Sequence, residues 1–145
     1  MAEPVLARLL LDTQRALASD LVVELESRGW PDLRSSQANL LLNVDRRAGT
    51  RLTELARRLG VTKQAVMVVV DELESDGLVR RVPDPEDGRA KTVRLTARGR
   101  TCAAECRRAV AAVEARARRA LGGRRHEALR ESLELLLETE EEEER

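Results

Sequence analysis

The sequence predicts a mainly α fold with one small β-hairpin, and three observations predict it. Two short helical patterns joined by a Gly turn lie between Leu52 and Gly77. Two short runs rich in Leu and Val, residues 78–82 and 92–95, flank a charged loop that holds two prolines and an Asp87-Gly88 pair. Longer amphipathic segments stand on both sides of this block. A short helix, a Gly turn, a second helix and a hairpin, in that order, make a winged helix-turn-helix.

Each element has a local reason. Val5, Leu6, Leu9, Leu10, Leu17, Leu21, Val22 and Leu25 form one helical stripe, and Gly29-Trp30-Pro31 ends it. Residues 37–44 read as a short buried helix through Leu40, Leu41 and Val44. Thr53 is a candidate N-cap for a helix with Leu55, Ala56 and Leu59 inward. Gly60 suits the left-handed residue that ends that helix, and Val61 is expected to bury the turn. Thr62 caps the next helix, whose core stripe is Val66, Val69, Val70 and Leu73, and Gly77 stops it. The hairpin loop exceeds a two-residue turn, so it is expected to protrude as a wing. Thr96 then caps a long Ala- and Arg-rich helix to about residue 121, broken by Gly122-Gly123. A last helix carries Leu129, Leu133, Leu136 and Leu137, and the acidic run 140–144 is expected to fray.

This divides the chain into residues 1–33, an N-terminal dimerisation helix; 34–96, the winged helix-turn-helix; 97–139, C-terminal dimerisation helices; and 140–145, an acidic tail. The terminal helices carry more apolar stripe than one small winged helix covers. A partner subunit would cover it; an internal helical bundle is the other reading.

With 145 residues, 36% of them charged and 42% hydrophobic, one compact domain is expected. Phe, Tyr and Ile are absent, so the core must be Leu, Val and Ala. No apolar run approaches a membrane span, and the N-terminus shows no secretion-signal pattern. Two cysteines without such a signal point to a reducing, cytoplasmic location. The formal net charge is zero, yet it is unevenly spread. Residues 34–100 hold 14 Lys or Arg against 9 Asp or Glu, a net of +5, and both flanks are net acidic. The basic excess therefore sits on the helix-turn-helix and wing, as binding to double-stranded DNA requires.

The second helix of the motif presents its positive N-terminus to phosphate. Thr62, Lys63 and Gln64 stand there; Gln can read adenine in a bidentate way, and Lys can meet guanine or phosphate. Met67, Val68 and Asp71 share the outward face. Met67 and Val68 either touch thymine methyls or pack against a neighbour. Asp71, Glu72, Glu74 and Asp76 make the second half acidic, so the helix should enter a groove N-terminus first. Phosphate contacts must then come largely from elsewhere, with Arg51, Arg57, Arg58, Arg80, Arg81 and Arg94 as candidates.

The run LTELARRLGVTKQAV, with VDELESDGLVRRVPDPEDGRAKTVRLTARGR after it, closely resembles the MarR family of transcriptional regulators. The strong match covers about a third of the chain. It implies a winged-helix homodimer on a roughly palindromic operator, read here as a repressor, with a small-molecule, metal or oxidant effector that often releases the DNA. By resemblance Arg89 enters the minor groove, Asp87 orients it and Lys91 stands beside it. A narrow A·T-rich groove attracts such an arginine. Met67 and Val68 depart from the family habit of Ser, Thr or Arg near these points. The family's effector pocket, between the dimer helices and the winged helix, would hold Trp30 as its one aromatic residue here.

Cys102 and Cys106 lie four apart on one predicted helix and share a face. Pairing with another chain and metal ligation beside His126 are open, but two small buried residues is the plainer reading. His126, between Arg125 and Glu127, reads as a surface residue. No P-loop, dinucleotide fingerprint or nucleophile elbow is present, and one His with no Tyr leaves few acid–base groups. An enzyme is therefore not expected, nor a cofactor. The main rival is a winged-helix module that binds another protein through Met67 and Val68.

Overall fold

A computed structural model describes residues 3–143. Its elements run α1 (Leu6–Ser27), α2 (Ser35–Asn43), β1 (Thr50–Arg51), α3 (Leu52–Leu59), α4 (Lys63–Ser75), β2 (Val79–Pro83), β3 (Lys91–Leu95), α5 (Ala97–Leu121) and α6 (Gly123–Glu143). The chain forms two compact units, Met1–Val110 and Ala111–Arg145. The mainly helical winged fold is therefore as expected, with one strand more than the hairpin required. β1 joins β3, giving a three-stranded antiparallel sheet in the order β1-β3-β2. Thr50 faces Val93, and Val79 faces Leu95 across the other pair. A two-residue strand has no periodicity to read, which is why the sequence did not show it.

The core of the first unit is aliphatic. Leu25, Leu40, Leu41, Leu55, Val66, Val70, Leu73, Val79 and Val93 are all essentially buried. α4 supplies Val66, Val70 and Leu73, with Val69 partly buried beside them, as its helical stripe predicts. Cys102 and Cys106 are buried among these residues and unpaired by disulfide. The Cys106 thiol beside it, and burial after that, push the Cys102 thiol upward, so it stays protonated at neutral pH.

Local chemistry sets most boundaries. Gly60 ends α3 at φ 64°, the left-handed region. The Val61 N–H reaches the Ala56 carbonyl at 3.1 Å and the Gly60 N–H reaches Arg57 at 3.3 Å, a Schellman closure. Val61 itself is 47% exposed, so the turn is held by these backbone bonds and not by a buried valine. The Thr62 hydroxyl accepts the Ala65 N–H at 3.1 Å, the expected N-cap of α4. Thr53 is no cap: α3 starts one residue earlier, at Leu52, and its N-cap position is Arg51, which makes no side-chain cap bond. β1 runs straight into α3, leaving no free turn for Thr53 to close.

The start of α5 is locked against β2. Thr96 Oγ1 accepts the Gly99 N–H at 3.0 Å and donates to the Gly77 carbonyl at 2.7 Å. A Cβ at position 99 would lie 1.8 Å from the Leu78 carbonyl oxygen, so only glycine fits there.

In the second unit, Gly122 breaks the chain at φ 78° and α6 begins at once. α6 continues through Glu143, so the acidic run, expected to fray, is helical up to that residue; Glu144 and Arg145 lie outside the described residues. Helix-favouring glutamates can extend a helix already nucleated by preceding turns. His126 is also not a surface residue. Its Nε2 lies 2.6 Å from Glu114 Oε1, its side chain is only 13% exposed, and Nδ1 is buried without a partner. The Gly122 turn sets His126, in the first turn of α6, against Glu114 of α5.

Leu6, Leu9, Leu10 and Leu17 of α1, and Leu129, Leu136 and Leu137 of α6, are exposed in the single chain. Among the described residues no helix is long and apolar enough to cross a membrane.

Candidate nucleic-acid interface

The cap at Thr62 leaves Lys63 and Gln64 exposed on the first turn of α4. Burial of Val66, Val70 and Leu73 turns Met67 and Val68 outward, where they are 41% and 57% exposed. Neither is a core residue, and their exposure leaves them available to thymine methyls or to a neighbour. Thr62, Lys63, Gln64, Met67 and Val68 thus form one outward surface, polar at its start and apolar beyond.

The acidic half of α4 differs from the expectation of bare repulsive charge. Arg81 of β2 pairs with Asp71 and, at 3.4 Å, with Glu74, whose other oxygen accepts the Arg81 N–H at 2.9 Å. Arg34 pairs with Glu72, and Gln37 donates to that same carboxylate at 3.3 Å. Three of the four acids are therefore matched by neighbours that α4 does not itself carry. Arg81 also ties the helix to the strand that leads into the wing.

The same pairing thins the list of phosphate contacts. Arg57 and Arg58 both hold Glu54, at 2.6 and 2.9 Å, and pull its carboxyl down to about 2. Arg94 donates to the Arg47 carbonyl at 2.6 Å. Arg51 grips Asp84 through Nε at 2.7 Å and Nη2 at 3.0 Å. Arg80 is exposed on β2. Sequence alone treated these six arginines as equivalent.

The wing is built on carboxylates. Asp84 is buried, and its Oδ1 accepts the N–H groups of Glu86 at 2.9 Å and Asp87 at 3.1 Å. Thr92 Oγ1 donates to Asp84 Oδ2 at 3.1 Å. The Asp84 N–H closes the loop onto the Ala90 carbonyl at 3.0 Å. Arg51 first, and these backbone donors after it, hold the Asp84 carboxyl far below the usual carboxylate range. Nearer the tip, Asp87 Oδ1 accepts the Arg89 N–H at 3.0 Å. Asp87 therefore acts on Arg89 through its backbone. Arg89 and Lys91 are exposed, and Lys91 opens β3 opposite Pro83.

Asp84 escaped the sequence reading. An aspartate two and three residues before the N–H groups it caps is a recognisable turn signal, but its partner Arg51 lies 33 residues away. Among the described residues no group of three or more His, Cys, Asp or Glu is placed to hold a metal ion.

A sequence model described as the MarR family matches residues 32–90. The HTH-type transcriptional repressor Rv2887 of Mycobacterium tuberculosis is 41% identical over 68 residues, 47% of this chain. That alignment spans about half the length, 49%, of the curated relative. The solved structure of the M. tuberculosis MarR family protein Rv2887 in complex with salicylic acid is 30% identical, with 92% of this chain and 97% of that one covered at a TM-score of 0.69. The chain belongs to the MarR family. Two DNA-bound structures are also similar. The transcriptional repressor CouR on a 23-mer duplex is 28% identical, covers 92% of each chain and has a TM-score of 0.80. A cysteine-to-serine mutant of MarR from E. coli with operator DNA is 26% identical, covers 91% of this chain and 93% of that one, and has a TM-score of 0.81.

Proposed function

We propose that this chain is a cytoplasmic, non-enzymatic DNA-binding repressor that acts as a homodimer on a pseudo-palindromic operator. The observation that carries this reading is the pairing of an exposed first turn on α4 with a built wing whose Arg89 is exposed. Helix and wing belong to one sheet-linked unit, joined through Arg81. Lys63 and Gln64 supply base or phosphate contacts at the helix N-terminus. Met67 and Val68 have no donors and select thymine methyls by contact. Arg89, with Lys91 beside it, enters the minor groove, and Asp87 sets the Arg89 backbone. The DNA-bound relatives support the same use of the fold.

The homodimer rests on the exposed leucines of α1 and α6, an apolar surface that a second copy would cover. Residues 1–33 and 97–139 are thereby the dimerisation segments and residues 34–96 the DNA-binding domain. Selection of bound duplexes from a random pool tests all of this together. Two-fold related half-sites about one helical turn apart are expected; failure to enrich any sequence at low salt overturns the reading.

An effector is part of the proposal, because the relative Rv2887 was solved in complex with salicylic acid. Trp30 is half-buried against the core, with the Arg98 guanidinium 5.4 Å from its ring centroid. Its fluorescence is a built-in reporter for such a ligand. A protein-binding role for Met67 and Val68 is the second reading, favoured only by their apolar exposure. It predicts no salt-dependent complex with any duplex.

A further inference from the structure

We propose that Arg51 is a positioning residue for the wing: through Asp84 it fixes the loop that carries Arg89, and does not itself touch DNA. The inference rests on the DNA-binding reading above.

Arg51 stands at the N-cap of α3, a position that favours Ser, Thr, Asp or Asn. Its side chain caps nothing there. Instead both donors of one guanidinium edge, Nε and Nη2, are committed to Asp84, a fork-on-fork pair that fixes orientation as well as distance. Nη2 also lies 3.8 Å from Glu86. Asp84 is the hub of the wing. The carboxylate that Arg51 holds is the one that accepts Glu86, Asp87 and Thr92, and Asp87 in turn sets the Arg89 backbone.

An open groove of about 330 Å³, lined by Ala48, Gly49, Pro85 and Glu86, has Arg51 and Asp84 in its wall. The Arg51–Asp84 pair lies in the wall of that groove and adds a side-chain link to the β1–β3 pairing, which sets Arg51 opposite Thr92 at the base of the wing. A wing ordered before it meets DNA loses less entropy on binding. Arg89 and Arg51 share no contact, yet their effects on binding must be coupled.

The test uses the full chain and a duplex enriched from the random pool. Arg51→Ser supplies a good N-cap for α3, so the helix keeps its start. Arg51→Lys keeps the charge and loses the two-pronged bond. Arg89→Ala is expected to weaken binding roughly tenfold. Arg51→Ser and Arg51→Lys should each weaken it about fivefold, and Arg89→Ala added to Arg51→Ser should lose little more than Arg89→Ala alone. Full affinity in Arg51→Lys, or losses that multiply in the double variant, would make Arg51 a plain phosphate contact and overturn the proposal. Amide hydrogen exchange on the free protein decides the matter without DNA. In Arg51→Ser the Glu86 and Asp87 amides should exchange several times faster while those of Val70 and Leu73 stay unchanged. Unchanged wing exchange overturns the proposal even if wild type binds no duplex, an outcome that would separately sink the DNA-binding reading.

Discussion

α4 and α6 carry aliphatic residues at helical spacing in much the same way, and they meet opposite fates. α4 buries Val66, Val70 and Leu73 to 1% exposure or less, and exposes only the pair Met67 and Val68. α6 leaves Leu129, Leu135, Leu136 and Leu137 open, with Leu135 at 64% and Leu137 at 67%. The α4 stripe is covered within the chain, whereas the α6 leucines are exposed in the single chain. An amphipathic stripe states that something apolar will face it; it does not state whether that something is in the same chain.

The difference can be broken most sharply at Gly99. An alanine there would drive its Cβ into the Leu78 backbone carbonyl. Gly99→Ala should lower unfolding free energy by about 4 kcal/mol, at the severe end for a point change. A urea midpoint near wild type would show that the β2–α5 junction yields and that the first unit is less tightly set than its burial implies.

Leu73→Ala should lower stability by about 2–5 kcal/mol without changing the oligomeric state. Leu137→Glu should do the reverse, shifting sedimentation from dimer to monomer. If Leu137→Glu still sediments as a dimer, the exposed face of α6 is not the interface. A next step down in magnitude concerns the two regions proposed to meet DNA. Arg89→Ala should weaken binding to most sequences about tenfold and reduce the salt slope by about one, whereas Gln64→Ala should relax preference at one base position. Equal salt slopes for wild type and Arg89→Ala would remove the wing from the contact surface.

Thr62→Ala removes the α4 cap and should lower stability by about 1 kcal/mol, read from thermal unfolding. The smallest effect is acid-dependent. Glu54 and Asp84 are held below their ordinary values by arginines, Glu54 to about 2. Their contribution is thus fully present above the ordinary carboxylate range and is lost as pH falls through it toward the lowered values. Stability should be flat between pH 7 and 5 as far as these groups go, and should decline below that. Arg51→Ser should flatten the decline.

Features that depend on residues within one turn were legible in the sequence. Gly60, Gly77 and Gly122 sit where helices end, and Thr62 and Thr96 accept the N–H groups expected of caps. The outward face of α4 followed from its helical period alone, so Lys63, Gln64, Met67 and Val68 could be placed before any coordinates. The wing loop, with Arg89 and Lys91 exposed, followed from its Pro and Gly content.

What the sequence could not show has one physical cause: the deciding partner is far along the chain. The Thr53 cap failed because β1 pairs with β3, some 40 residues on, and delivers Arg51 into the N-cap position. The acid end of α4 looked repulsive until Arg81 and Arg34 were found against it. His126 looked solvated until the Gly122 turn set it on Glu114. Periodicity, capping and turn chemistry are short-range and leave their mark in consecutive letters. Ion pairs and burial depend on which distant residues the fold brings within a few ångströms, and charge alone does not name them. By itself, then, the sequence determined the class of fold and the outward face of α4, while the tertiary structure decided which arginines are committed to carboxylates.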